Sequence, residues 1–144
     1  MVSSFKDCYL DRDQRRGMSN SPLISVVDDD DSVRESLRRL IRSVGLAVQV
    51  FPSAEQFLNS GQLRQTQCLI LDVRLPGMTG LQLQRQLWAN HCEVPVIFIT
   101  AHDDNAARIR GLKDGAIEYL FKPFSEEALL NAIHMSLTAR PVGT

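Results

Sequence analysis

The sequence predicts a single α/β domain in which a doubly wound sheet of five parallel strands is covered by five helices. Short apolar runs such as residues 68–71 show no alternation, which is typical of strands buried on both faces. Segments with helical periodicity lie between these runs, and strands that alternate with helices indicate a parallel sheet. The length of 144 residues and the apolar fraction of 44% suffice for one domain with a substantial core.

The first half of the chain contains two predicted strands, each followed by a helix. The first strand ends in four consecutive carboxylates, of which Asp30 and Asp31 can cap the next helix. The spacing of Ser53 and Gln56 predicts a capping box at the start of the second helix. The predicted strands are residues 23–27 and 47–51, and the predicted helices are residues 32–44 and the segment that follows residue 53.

The second half contains three more predicted strands and three helices. Trp88 belongs to the apolar set of the third helix, and Ile109 to that of the fourth. Glu126 and Glu127 lie in the first turn of the last helix, where carboxylates interact favourably with the helix dipole. The predicted strands are residues 68–72, 94–100 and 117–121, and the helices begin at about Thr79, Asn105 and Ser125.

The alternation of elements also restricts the topology and the domain limits. Right-handed crossovers leave a few possible strand orders, one of which is the flavodoxin-like order 2-1-3-4-5. Residues 1–21 are polar and show no periodicity, which predicts a disordered N-terminal extension. The domain is expected to span residues 22–138, and residues 139–144 are interpreted as a C-terminal tail or the start of a linker.

Composition excludes several classes of partner. A net charge of −1 gives no basis for direct nucleic-acid binding by this segment. The longest apolar stretch, residues 94–101, contains a proline and is too short to cross a membrane. No secretory signal is recognisable at the N-terminus. Three cysteines without C-x-x-C spacing fit a reducing compartment, so we expect a cytoplasmic protein.

Polar residues follow four of the predicted strands at the point where each strand ends. These are Asp28 and Asp29, Asp72, Thr100 and Lys122, and in a parallel sheet they share one edge. Two carboxylates about 4 Å apart repel by roughly 4 kcal/mol at an effective dielectric constant near 20. Three of them therefore require a cation, and a few hard oxygen ligands suit Mg²⁺. With an ammonium and a hydroxyl nearby, the pattern predicts a phosphoryl-transfer pocket whose acceptor is a protein carboxylate.

Four motifs strengthen this hypothesis. The segments V-V-D-D, L-D-V-R-L-P-G-M-T-G, F-I-T-A and F-K-P-F resemble the signature segments of response-regulator receiver domains, in the same order and spacing. The resemblance covers residues 23–137. It is closest to the receivers of LuxR- and FixJ-type transcription regulators, which it resembles also in V-D-D-D-x-S-V-R, S-A-E-x-F-L and G-A-x-E-Y.

The resemblance implies a role for each acidic residue of the pocket. Asp72 corresponds to the phosphoacceptor. Asp28 and Asp29 correspond to the acidic pair, and Asp29 would bind Mg²⁺ directly together with Asp72 and the backbone carbonyl of Arg74. Mg²⁺ is thus the implied cofactor.

The resemblance also implies a switch. Thr100 corresponds to the hydroxyl that binds a phosphoryl oxygen, Lys122 to the ion-pairing lysine, and Tyr119 to the aromatic residue that moves inward with Thr100. Arg74 and His102 occupy rim positions that tune dephosphorylation in the family. Pro123 matches a lysine–proline pair whose peptide bond is often cis.

The implied function is a phosphorylation switch rather than an enzyme acting on other molecules. A histidine kinase or phosphotransfer protein would donate the phosphoryl group, and the domain would catalyse only its own phosphorylation and dephosphorylation. The face formed by the fourth helix, fifth strand and fifth helix would then change, with a possible phosphorylation-dependent homodimer. Control of transcription through an output domain outside this sequence is the leading interpretation. A stand-alone receiver that docks onto another protein is the alternative.

Other readings of the same residues fit less well. A nucleotide- or flavin-binding fold needs a phosphate-cradling loop after the first strand, where this chain has four carboxylates. An aspartyl phosphatase typically has a second Asp two residues after the nucleophile, where this chain has Arg74. An EF-hand would need Gly at Val33 and Glu at Arg39. A degenerate, phosphorylation-independent docking module is the fourth alternative, and the presence of every pocket residue argues against it.

Overall fold

The computed structural model describes residues 22–101 and 105–138, and within them five strands alternate with five helices. The predictions for residues 1–21 and 139–144 fall outside these ranges. The elements are β1 (Leu23–Val27), α1 (Asp31–Ser43), β2 (Ala47–Phe51), α2 (Ala54–Asn59), a 3₁₀ turn (Leu63–Gln65), β3 (Thr66–Asp72), α3 (Gly80–Ala89), β4 (Val96–Thr100), α4 (Asn105–Lys113), β5 (Glu118–Phe121) and α5 (Glu126–Thr138).

The five strands form one parallel sheet in the order β2-β1-β3-β4-β5. This confirms the predicted α/β class and the strand order 2-1-3-4-5. The chain runs outward from β1 in one direction and from β3 in the other, so the topological switch point lies between these two strands. Ligands of open α/β sheets bind outside the carboxyl ends of the strands at such a point.

Two apolar layers enclose the sheet. Alternate residues of β3 point to opposite faces, with Leu69 and Leu71 in one layer and Cys68 and Ile70 in the other. The first layer is completed by α2, α3 and α4, and the second by α1 and α5. Because both faces are covered, the central strands are apolar throughout, as the sequence indicated. In residues 22–101 and 105–138, no helix has the length and apolar character needed to cross a membrane.

Side-chain caps define the helix starts. Asp30 caps α1, since its Oδ1 accepts from the backbone N–H groups of Ser32 and Val33 at 2.8 and 3.4 Å. Ser53 caps α2 through the N–H of Gln56 at 3.1 Å, which confirms the cap but not the reciprocal bond of the predicted capping box. The complete capping box of the structure belongs to α3, where Thr79 and Gln82 bond reciprocally.

Element limits and two helix faces differ from the predictions. β3 begins two residues earlier than predicted, at Thr66, and β4 begins two residues later, at Val96. Trp88 is 74% exposed because α3 buries a stripe that ends at Leu87. Ile109 is 53% exposed, since α4 packs through small residues; a Cβ built on Gly111 would lie 3.0 Å from the Phe98 ring.

Candidate functional site

The carboxyl edge of the sheet brings together the residues that the sequence placed there. Asp28 directly follows β1, Asp72 ends β3, Thr100 ends β4, and Lys122 directly follows β5. Adjacent strand ends are tied by backbone hydrogen bonds, including Lys122 N to Thr100 O at 2.7 Å. Asp29 follows Asp28 directly, so all five predicted pocket residues lie on one edge of the sheet at the switch point.

Lys122 joins the two buried carboxylates. Its Nζ lies 2.7 Å from Asp28 Oδ2 and 3.1 Å from Asp72 Oδ2. The Asp28 side chain is fully buried and that of Asp72 is 8% exposed. Charged hydrogen bonds that are shielded from solvent are stronger than exposed ones. The bridge therefore holds the ends of β1, β3 and β5 in a fixed relation.

Each of these two carboxylates uses its other oxygen to bond the backbone two residues ahead. Asp28 Oδ1 accepts from Asp30 N at 2.9 Å, and Asp72 Oδ1 accepts from Arg74 N at 3.0 Å. Such local Asx bonds fix the side-chain rotamer. Both carboxylates are thus preorganised, and each oxygen retains a further lone pair for a ligand.

The acidic cluster fits a divalent cation. One carboxylate oxygen from each of Asp28, Asp29 and Asp72 lies within 4.8 Å of the other two, with Asp28 and Asp72 buried and Asp29 exposed. The Lys122 ammonium offsets one of these three negative charges. Hard oxygen ligands with an exposed side open to water match the preference of Mg²⁺. The donor set is therefore suitable for the metal that the sequence predicted.

The environment changes the proton affinity of two groups. Burial raises the pKa of Asp72, and the neighbouring charge of Asp28 acts in the same direction, while the Arg74 N–H and Lys122 oppose it. Burial alone would lower the pKa of Lys122, but its bonds and charge interactions with Asp28 and Asp72 outweigh burial and raise that pKa. Lys122 consequently remains an ammonium at neutral pH.

The predicted switch residues are both buried. Thr100 is 1% exposed and Tyr119 is 5% exposed. The Tyr119 ring lies 5.8 Å from the ring of Phe98 and 5.4 Å from that of Phe121, centroid to centroid. The Tyr119 ring is therefore buried between these two aromatic rings and other core residues. The inward movement of Tyr119 with Thr100 stays a prediction.

Of the two predicted rim residues, the structure describes only Arg74. Arg74 is exposed beside Asp72, while His102 lies outside the described residues. The Lys122–Pro123 peptide bond is cis, as the family resemblance implied.

Two residues near the site were missed at the sequence level. Arg34 Nη1 donates to the Asp28 carbonyl at 2.7 Å, so the first turns of α1 support the acidic pair. The Glu55 carboxylate reaches the connection between β3 and α3, where it accepts from Met78 N at 2.8 Å. A signal for Arg34 was available, because long helical side chains point back toward the N-terminus of their helix. Glu55 acts across 23 residues of sequence, which no local pattern reveals.

Known proteins are similar to this chain in both sequence and fold. The sequence model of the response regulator receiver domain matches residues 24–134. The chain is 45% identical to the response regulator protein TodT of Pseudomonas putida over 127 residues. This alignment covers 88% of this chain and 56% of TodT. The chain is 46% identical over 115 residues to nodulation protein W of Bradyrhizobium diazoefficiens, covering 80% and 51%. The chain thus spans about half the length of these relatives.

Solved structures give the same result. The response regulator StyR is 51% identical, with a TM-score of 0.76, over 81% of this chain and 59% of that one. The FixJ-N structure is 30% identical, with a TM-score of 0.75, over 86% of this chain and 99% of that one. Together with the fold and the acidic edge, these matches establish that the chain belongs to the response-regulator receiver family of two-component signalling.

Proposed function

We propose that the domain accepts a phosphoryl group on a carboxylate oxygen of Asp72 from a phosphohistidine of a histidine kinase or phosphotransfer protein. In this step an O–P bond forms and the N–P bond breaks. The imidazole leaves with the bonding electron pair and is neutralised by a proton. The observation that carries the proposal is the contact of Lys122 Nζ with both buried carboxylates at the switch point.

The surrounding residues have separate roles in this proposal. The Asp72 carboxylate, oriented by the Arg74 N–H, acts as the nucleophile. The Lys122 ammonium offsets negative charge on the incoming phosphoryl oxygens, and the Thr100 hydroxyl donates to one of them. Asp28, Asp29, Asp72 and the Arg74 carbonyl would hold Mg²⁺, which when bound neutralises further negative charge at the same oxygens.

A groove offers the donor protein access to the site. It encloses about 760 Å³ between α1 and the start of α5, and Lys122 lies in its wall. Its apolar lining comes from Val33, Leu37, Leu40 and Phe124. We propose that a helix of the donor protein contacts this groove while its phosphohistidine approaches Asp72.

The test is labelling of the full chain with acetyl phosphate in the presence of Mg²⁺. We expect one hydroxylamine-labile phosphoryl group, and peptide mapping should locate it at Asp72. Chelation of Mg²⁺ should prevent labelling. A folded protein that takes up no label with Mg²⁺ would instead support a phosphorylation-independent docking module.

We also propose that the domain controls transcription through an output domain, within the cytoplasm. One relative, FixJ of Azorhizobium caulinodans, is named a transcriptional regulatory protein, and this chain covers 57% of it at 42% identity. The alternative is a stand-alone receiver that acts by docking. In either case we place the output on the face of α4, β5 and α5, which we call the output face.

Phosphorylation is expected to promote self-association through the output face. Ile109 and Phe121 expose apolar surface there, at 53% and 37%, whereas Tyr119 is buried and contributes from below. Beryllofluoride, which mimics the aspartyl phosphate, should raise the sedimentation coefficient of the wild type. Ile109→Asp should abolish this increase, and Val44→Asp, at the similarly exposed C-cap of α1 outside the output face, should retain it. Equal sedimentation with and without beryllofluoride at high concentration would favour a monomeric switch.

Replacing Asp29 by asparagine should separate charge repulsion from metal binding. The variant removes one carboxylate of the acidic cluster while keeping its shape, so the metal-free protein should become more stable by about 0.5–1 kcal/mol, a small gain because Asp29 is exposed. Mg²⁺ at about ten times its dissociation constant should stabilise the wild type by roughly 1.4 kcal/mol. Asp29→Asn should lose most of that gain.

Thermal melting with chelator and with Mg²⁺ measures both effects. Asp31→Asn is the matched control, because Asp31 belongs to the same acidic run but its exposed carboxylate pairs with Arg34. It should respond to Mg²⁺ like the wild type. If Asp29→Asn keeps the full response, the three carboxylates do not share a cation.

A further inference from the structure

Asp72, the proposed phosphoacceptor, is followed by residues 73–79, which connect β3 to α3. Its first half is held by the sheet and the core, since Val73 N donates to Ile99 O at 3.2 Å and the Leu75 side chain is 6% exposed. Arg74 lies between these anchors and orients Asp72 through its N–H. In the second half, Pro76 and Gly77 are exposed and Met78 is half-buried against the core, and the backbone N–H of Met78 has a partner on another element.

That partner is Glu55, which lies in the first turn of α2. Its Oε2 accepts a hydrogen bond from Met78 N at 2.8 Å. This bond lowers the pKa of Glu55, so the acceptor is ionised at neutral pH. Helix α2 is itself anchored, because Phe57 is fully buried in the core. An exposed carboxylate on an anchored helix thus accepts a hydrogen bond from the backbone of the connection.

Gly77 allows this close approach. Its φ of +74° favours glycine, and a Cβ at this position would lie 2.6 Å from Glu55 Oε2. The connection therefore lies directly against the Glu55 carboxylate. A residue with a side chain at position 77 would displace one of the two.

We propose that Glu55 is a positioning residue for the acidic site. By holding the Gly77–Met78 backbone, its carboxylate presets the connection that carries Arg74, and so the Arg74 N–H and carbonyl that serve Asp72 and the cation. The inference rests on the proposed function, because it concerns Mg²⁺ binding and phosphorylation at that site. Partners that bond metal ligands directly typically change metal affinity or activity by about 10- to 100-fold when removed. Glu55 bonds the backbone of Met78, four residues after Arg74, so we expect its effect at the low end of that range.

Three variants distinguish positioning from the two other effects that Glu55 exerts. Glu55→Ala removes both the acceptor and the charge. Glu55→Gln keeps an acceptor oxygen but removes the charge, so it tests long-range electrostatics. Ser53→Ala removes the cap of the same helix, whose Oγ accepts from Gln56 N, and leaves the connection untouched. It therefore controls for weakening of α2 alone.

The experiment measures the Mg²⁺ dissociation constant by calorimetry and the initial rate of labelling by acetyl phosphate, on the full chain and well below every melting temperature. Positioning predicts that Glu55→Ala binds Mg²⁺ about tenfold more weakly and is labelled more slowly. Glu55→Gln should restore both values to within about threefold of the wild type, and Ser53→Ala should match the wild type.

Several outcomes would overturn the inference. Wild-type Mg²⁺ affinity and labelling rate in Glu55→Ala would mean that the connection keeps its conformation without the bond from Met78 N to Glu55. Equal losses in Glu55→Gln and Glu55→Ala would assign the effect to charge, and equal losses in Ser53→Ala and Glu55→Ala would assign it to α2. A wild type that neither binds Mg²⁺ nor is labelled would overturn the proposed function itself, and this inference with it.

Discussion

Asp72→Asn is expected to abolish labelling by acetyl phosphate. The asparagine side chain keeps the shape of Asp72 but offers no anionic oxygen to attack phosphorus. The variant should remain folded. Because the pKa of Asp72 is raised in the native state, ionisation of this group costs stability as the pH rises through that pKa, and asparagine avoids the cost. Loss of labelling in a protein that melts no lower than the wild type would therefore report chemistry alone.

Intact-mass spectrometry after a fixed incubation measures this loss. Asp114→Asn is the matched control, since it removes a carboxylate that pairs with Arg85 at 3.5 Å instead of one that contacts Lys122. It should be labelled like the wild type. Label that persists in Asp72→Asn would assign the acceptor to another residue.

Gly80→Ala should produce the largest loss of stability among the single substitutions considered. A Cβ on Gly80 would lie 2.2 Å from the carbonyl oxygen of Asp72 and 3.1 Å from the Cα of Val73. Both atoms belong to backbone, so no side chain can move aside. Either α3 must shift away from the sheet or the end of β3 must bend. We expect the free energy of unfolding to fall by about 2–4 kcal/mol, at the high end for one added methyl group.

Urea unfolding measures this fall, with Gly45→Ala as the control. Gly45 has a φ of +87° but open space around its Cβ direction, so alanine there suffers backbone strain of about 1 kcal/mol without a clash. Gly80→Ala should also be labelled more slowly under conditions where it is folded, because the displaced backbone carries Asp72. Equal losses of stability in the two variants would show that β3 and α3 move apart at little energetic cost to accommodate the added methyl group of Gly80→Ala.

Much of the fold follows from patterns that span only a few residues. The unbroken apolar runs identify the central strands, because residues buried on both faces of a sheet need no alternation. Asp30, Ser53 and Thr79 identify helix starts, because a short polar side chain satisfies backbone N–H groups that the helix leaves unpaired. Local patterns did less well for helix faces. Trp88 and Ile109 fit a helical repeat yet lie mostly exposed, since the width of the buried stripe depends on what each helix packs against.

By itself the sequence determined that this chain is a parallel α/β domain, because strands that alternate with helices run parallel. It also determined that Asp28, Asp29, Asp72, Thr100 and Lys122 share one edge of the sheet, because strand ends can be read locally. Only the tertiary structure decided which atoms meet there. Lys122 bridges two buried carboxylates, Tyr119 is buried beside Phe98, and Glu55 accepts from the backbone N–H of Met78. These contacts join residues that are far apart in sequence. The distances between the contacting atoms depend on how the helices pack against the sheet.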